Sequence, residues 1–256
     1  DAFIFGGGGL LDIEDMLPPL YAVAIRARVP VIVWGAGKNT IRGGETLLFN
    51  VSGKEALCAR LRQLFHRRPR FVTELVVPEE PPAGSRSDAA LARCALVGTR
   101  DFPAPYDWTP CVTCMDPLLD FYRDQPPRHR VVVYQHPHFC RISLPGAPRL
   151  DNVGVSFAQA LAFLSSGETV FTSSYHGAYW ALLLGRKIVA VPWSTKFLHF
   201  KQPITLVKHR ASVPRALTEA RAFPDALTEC RAANLQFAGT VAQLLGIAIK
   251  PKFTIS

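Results

Sequence analysis

Short apolar runs of strand length alternate along this chain with longer segments whose apolar residues recur every three to four positions. No other feature restricts the fold as much. Ala2–Phe5 is followed by the helix-period segment Ile13–Ala27, Val31–Trp34 by Lys54–His66, and Phe71–Val77 by Ser87–Ala95. Strands joined through helices lie parallel and carry the helices on their faces, so an α/β fold with mainly parallel sheets is expected. Ser52-Gly53-Lys54-Glu55 has the form of a capping box at the start of the second helix.

The alternation breaks between Phe102 and Pro127, where "DFPAPYDWTPCVTCMDP" and "DQPP" crowd prolines and turn residues around a short apolar segment. It then resumes with strand Arg130–Gln135, helix Ser156–Leu164, strand Thr169–Thr172, helix Tyr175–Leu184, strand Lys187–Val191 and a last helix over about Pro224–Leu245. A chain of 256 residues lies near the size at which one core divides into two. The expectation is therefore an N-terminal Rossmann-like domain over 1–115, a second over 128–223, and a C-terminal helix and tail over 224–256 long enough to cross back to the first. The abrupt start inside an apparent strand suggests further sequence upstream. No internal repeat of fixed period is present.

Arg26, Arg28, Pro30 and Lys187 interrupt the most apolar stretches, so no run reaches the ~18 residues a spanning helix needs. Six cysteines in a chain of this length do not make a disulfide framework, and a reducing, cytoplasmic compartment is expected. The formal charge of +9 favours acidic partners: phosphorylated metabolites, anionic lipid head groups or nucleic acid. Nucleic acid is disfavoured among these, because the basic residues are scattered apart from "HRRPR" and no aromatic platform accompanies them.

Several segments have the residue types of a binding site. Gly6, Gly7, Gly8 and Gly9 directly follow the first strand, where residues without a Cβ let backbone N–H groups turn toward a phosphate or carboxylate. The dinucleotide fingerprint fails at Leu11, which excludes a standard NAD turn. "VIVWGAGKNT" lacks P-loop spacing and reads as a tight turn offering Asn39 and Thr40 at a cleft edge. In "ALVGTRD", Arg100 presents a planar fork for an anion, with Asp101 beside it to hold the fork or to form a plain surface ion pair. Cys111 and Cys114 have CxxC spacing, with His136, His138 and Cys140 further on. The tight pair does not repeat, so no metal is expected, and His136 or His138 is placed facing the cleft from the end of its strand.

The segment "VFTSSYHGAYWALLLGRKIVAVP" puts Ser173 and Ser174 at a strand-to-helix turn just before His176. The serines and the first helical N–H groups suit an anion, backed by the helix dipole. His176 shares a helix face with Tyr179, Trp180 and Leu183, so it is either a core histidine or a proton-exchanging group beside that anion. Ser194 and Lys196 in "VPWSTK" follow the next strand and are placed within reach of the same site.

Taken in order, "GGGG", "VIVWGAG", "GTRD" and "TSSYHGAYWALLLGRKIVAVP" with Ser194 and Lys196 resemble the polysaccharide pyruvyl transferase family. The similarity runs over most of Asp1 to Lys196, and the Ser174-Tyr175-His176 block is its most specific part. The resemblance implies a fold similar to the GT-B glycosyltransferases, two Rossmann-like domains with the active site in the interdomain cleft. It also implies transfer of pyruvate from phosphoenolpyruvate, as a ketal, onto hydroxyls of a cell-surface polysaccharide or its lipid-linked precursor. The family histidine maps onto His176 and a donor-binding arginine onto Arg100. Many members carry an arginine two residues before the histidine, where this chain has Ser174.

On this reading no cofactor is needed, and phosphoenolpyruvate is the donor substrate. His176 is the general acid or base. Arg100 and Lys196 neutralise carboxylate and phosphate, and Ser173, Ser174, Ser194 and the Gly6–Gly9 backbone add hydrogen bonds. His136 or His138 is expected to supply the charge of the missing arginine, and the basic surface is expected to meet the inner face of the membrane. Two alternatives remain: a GT-B glycosyltransferase using a nucleotide-sugar donor, and a non-catalytic glycan-binding or scaffold protein.

Overall fold

A computed structural model describes residues 1–11, 22, 26, 28–41, 46–51, 70–79 and 86–248. The expected helices Ile13–Ala27 and Lys54–His66, and the capping box at Ser52, lie outside the described residues. The chain divides into two compact units. The first comprises Asp1–Asn39, Pro81–Met115 and Thr228–Ser256, and the second comprises Thr40–Glu80 and Asp116–Leu227.

The first unit is built on a parallel four-stranded sheet. Its strands are β1 (Phe3–Gly6), β2 (Val31–Ala36), β5 (Leu96–Thr99) and β6 (Asp107–Trp108), in the order β1-β2-β5-β6. Alternate residues of β2 serve opposite faces, as the period of two requires. Val33 packs with Phe5, Leu11, Ala90 and Leu91, the last two from helix α1 (Arg86–Leu91). Ile32 and Trp34 pack on Phe237, with Ile32 also beside Val241, both on the 20-residue helix that closes the fold, α6 (Ala226–Leu245). Both faces of the sheet are thus covered, which is why β2 reads as a continuous apolar run.

Helix α6 is pinned by one buried amide. Asn234 accepts from Trp34 Nε1 at 3.0 Å and donates to the carbonyls of Pro110, at 3.0 Å, and Cys230, at 3.1 Å. Trp34 meets Phe237 edge-on, with ring centroids 5.1 Å apart.

The second unit has a five-stranded parallel sheet in the order β12-β11-β10-β7-β9, made of β7 (His129–Gln135), β9 (Arg149–Asp151), β10 (Gly167–Thr172), β11 (Lys187–Ala190) and β12 (Thr205–Leu206). A separate parallel sheet joins β3 (Leu47–Asn50) to β4 (Arg70–Val72) and β8 (Cys140–Ser143). Helices α2 (Leu118–Arg123), α3 (Phe157–Ser165), α4 (Tyr175–Leu183) and α5 (Val213–Glu219) complete the unit. Helix α3 opens with a full capping box between Ser156 and Gln159.

The architecture is α/β with mainly parallel sheets, as the alternation of apolar runs predicts. The sequence reading put all of 1–115 in one domain. The strand pairing instead draws Thr40–Glu80 into the second unit, because β3 takes β8 as its neighbour. The segment Thr228–Ser256, carrying most of α6, belongs to the first unit through its contacts with Trp34 and Ile32. The expected strand Phe71–Val77 is shorter, ending at Val72, and Glu74 makes an isolated bridge to His209. No helix among the described residues is long and apolar enough to cross a membrane.

Replacing Asn234 by Ala strands the Trp34 N–H and the Pro110 carbonyl. The expected cost is about 2 kcal/mol, the order of a buried polar group left without its partner, and thermal melting against wild type measures it.

Candidate functional site

In the second unit the carboxyl ends of β7, β10 and β11 are gathered by three consecutive residues. Parallel α/β sheets collect their ligands at such ends. Thr172 donates its hydroxyl to the Tyr134 carbonyl on β7 and accepts from the Ser174 N–H at 2.9 Å. Ser173 donates to the Cys140 carbonyl and accepts from the His136 N–H at 3.0 Å, and its own carbonyl accepts from Trp193 Nε1 at 2.6 Å. Ser174 is the N-cap of α4: its hydroxyl oxygen accepts from the Gly177 N–H and from Asn152 Nδ2, each at 3.2 Å. The sequence reading gave Ser173 and Ser174 to a bound anion. Both are buried and their hydroxyls are engaged within the fold, so they set the site's shape. The glycine after His176 has a packing reason too. A Cβ on Gly177 would lie 2.4 Å from Tyr134 Cδ1 and 2.6 Å from Thr172 Oγ1.

These constraints place a cluster around Trp193. His136 lies 5.7 Å from the Trp193 ring and 6.0 Å from His138, and Phe139 stacks on Trp193 at 4.5 Å. The Lys196 ammonium sits 4.3 Å over the Trp193 ring. Two polar atoms here are buried without a hydrogen-bond partner, His136 Nδ1 and the Ser194 hydroxyl. Burial, with the positive charges of Lys196 and then His138 nearby, pushes the His136 pKa down to about 4. His136 is therefore neutral at neutral pH. It does not supply the charge of the missing arginine, which corrects that expectation for His136; Lys196 is the cation of the cluster.

His176 stands in the first turn of α4, half-buried. Its ring stacks on Trp180 at 5.2 Å and meets Tyr175 edge-on at 5.7 Å. The aromatic stacking fixes the ring's plane, a core-like feature, while partial exposure leaves it accessible for proton transfer.

In the first unit, the glycine turns and the GTRD segment meet at the carboxyl ends of β1, β2 and β5. Arg100 is buried, donates Nη2 to the Lys38 carbonyl at 3.4 Å, and has Nε 3.9 Å from Asp101 Oδ1. Asp101 Oδ2 accepts from the Lys38 N–H at 2.6 Å. With side-chain exposures of 3% and 9%, Arg100 and Asp101 are not the surface ion pair that was one reading of this segment. Gly7 and Gly8 take left-handed φ values of 71° and 75°, as the turn requires. Gly6 has Trp34 O at 3.5 Å from the position of a Cβ, ordinary contact. Gly9 and Gly37 are demanded by close approach: a Cβ on Gly9 would fall 2.3 Å from Asn39 Cβ, and one on Gly37 would fall 2.5 Å from Arg100 Nε. Asn39 thus packs against the glycine turn, and the turn's closest neighbours are Asn39 and Arg100.

Cys111 and Cys114 belong to the first unit and His136, His138 and Cys140 to the second. Among the described residues no group of three or more His, Cys, Asp or Glu is arranged to hold a metal ion. Strand β8, which pairs with β3, was missed by sequence reasoning. Its signal was the alternation of buried Cys140 and Ile142 with exposed Arg141. Comparison with protein-family models, curated proteins and solved structures finds no match, so the family resemblance rests on the motifs alone.

Two outcomes test this geometry. Gly37→Ala pushes a methyl group into the Arg100 side chain and is expected to destabilise the first unit by about 1–3 kcal/mol, read by thermal melting. His136 stays neutral in the fold down to about pH 4 but takes up a proton near 6.5 when unfolded. Its contribution to stability is therefore lost as pH falls through that window. The fall in melting temperature from pH 6.5 to 4 should be shallower in His136→Gln than in wild type.

Proposed function

We propose that this protein is a pyruvyl transferase that moves pyruvate from phosphoenolpyruvate to hydroxyls of a cell-surface polysaccharide or its lipid-linked precursor, as a ketal. The observation that carries the reading is the cluster at the strand ends of the second unit. A neutral imidazole with a buried, unpartnered Nδ1, a buried unpartnered Ser194 hydroxyl and the Lys196 ammonium gather about Trp193, beside the strand end that leads into α4 and His176. Buried polar atoms without partners are costly in a fold, and a ligand bound here would supply partners for both.

On this reading His176 gives a proton to the methylene carbon of phosphoenolpyruvate, making the central carbon electrophilic. A sugar hydroxyl adds there and loses its proton, phosphate departs, and a second hydroxyl closes the ketal. Lys196 offsets negative charge, and Arg100 serves as the donor-binding arginine that the family resemblance assigns. The two units are then the Rossmann-like halves of a GT-B-like transferase, working in the cytoplasm, with the +9 surface suited to the inner face of the membrane.

The burial of Ser174 as a helix cap favours one second reading. With no arginine at that position and His136 neutral, a donor of lower charge density, a nucleotide sugar, also suits a GT-B-like cleft.

His176→Ala should lower phosphate release from phosphoenolpyruvate, assayed with a panel of glycan acceptors, by about 10²–10⁴-fold while the helical circular dichroism is kept. Full activity in the folded variant contradicts the mechanism.

A further inference from the structure

We propose that the cavity at the carboxyl ends of β7 and β9 is an anion site, taking the phosphate or carboxylate of a small hydroxylated molecule between Arg141 and Arg149. The cavity has a volume of about 500 Å³ and is lined by Gln135, Arg141, Arg149, Asp151, Val153 and Val155 among others. That volume falls within the range of small-molecule sites.

Each guanidinium is tethered at one point to a backbone carbonyl. Arg141 Nε donates to the Pro137 carbonyl at 3.0 Å, and Arg149 Nη1 donates to the Ile142 carbonyl at 3.3 Å. A carbonyl orients a guanidinium without cancelling its charge, and the other N–H groups of each fork remain for a ligand. Asp151 stands two residues from Arg149 on β9, hence on the same side of the strand, yet it does not pair with it. Its Oδ1 instead accepts from Gln135 Nε2 at 2.6 Å, while Gln135 Oε1 accepts from the Ile142 N–H at 2.7 Å. Among the described residues neither arginine lies within ion-pairing distance of an acid.

Both guanidinium groups line one cavity, so an anion there can accept from two planar forks. The carboxylate of Asp151 at the same wall accepts hydrogen bonds and rejects a second anion, so it favours a ligand that presents hydroxyls next to its charged group. The site shares no residue with the cluster around Trp193 and stands or falls independently of pyruvyl transfer.

The test is titration calorimetry at low salt with glucose 6-phosphate, glucuronate and glucose, on wild type, Arg149→Gln and the double variant Arg141→Gln, Arg149→Gln. Both arginines are exposed, so unchanged melting temperatures are expected and confirm folding. Wild type should bind at least one of the anionic sugars saturably and leave glucose unbound. Arg149→Gln should weaken that binding by about tenfold or more, and the double variant should abolish it. The sugar that binds identifies the anion as phosphate or carboxylate. Failure of both anionic sugars to bind wild type, or equal binding by the double variant, overturns the proposal.

Discussion

Three hydroxyl groups in a row, on Thr172, Ser173 and Ser174, hold the second unit together at the carboxyl ends of its central strands. Through them Tyr134 and His136 of the β7 segment, Cys140 of β8, Asn152 just past β9 and the first turn of α4 are all fastened to the end of β10. The Ser173 carbonyl adds Trp193, beyond β11. Side-chain hydroxyls are suited to this task because each donates once and accepts more than once, so one buried oxygen can join two elements. With those joints in place His136, Trp193 and Lys196 have defined positions. The same network reaches Asn152, the neighbour of Asp151 at the arginine-lined cavity.

The first unit solves a similar problem with charge. Arg100 is buried among backbone turns that only glycine permits, with Asp101 tying the Gly37-Lys38 turn to it. A buried guanidinium is expensive, since desolvation removes most of what an ion pair returns unless further hydrogen bonds satisfy it. Asp101 stands beside that charge, and the glycines contribute by allowing the approach.

Much of the fold was legible in the sequence because its central strands are buried on both faces. Val31–Ala36 reads as an unbroken apolar run for that reason. The short strands at β8 and β9 escaped because four and three residues carry too little periodicity, and because "HPHFC" drew attention as a set of metal ligands. That the two serines before His176 stand at a strand-to-helix turn was legible, but the task of their hydroxyls was not. Spacing shows that a serine stands at a turn; it does not show that its hydroxyl is already spent on a carbonyl from another strand. The protonation of His136 was beyond sequence as well, since it depends on burial and on Lys196, sixty positions away in the chain.

The central claim is that this protein binds an enol phosphate carrying a carboxylate. Titration calorimetry with phosphoenolpyruvate, run beside UDP-, GDP- and CMP-sugars, addresses it most directly. The account predicts saturable binding of phosphoenolpyruvate that is weakened in Arg100→Lys and no binding of the nucleotide sugars. Binding of a nucleotide sugar with no response to phosphoenolpyruvate would contradict it and make the protein a glycosyltransferase.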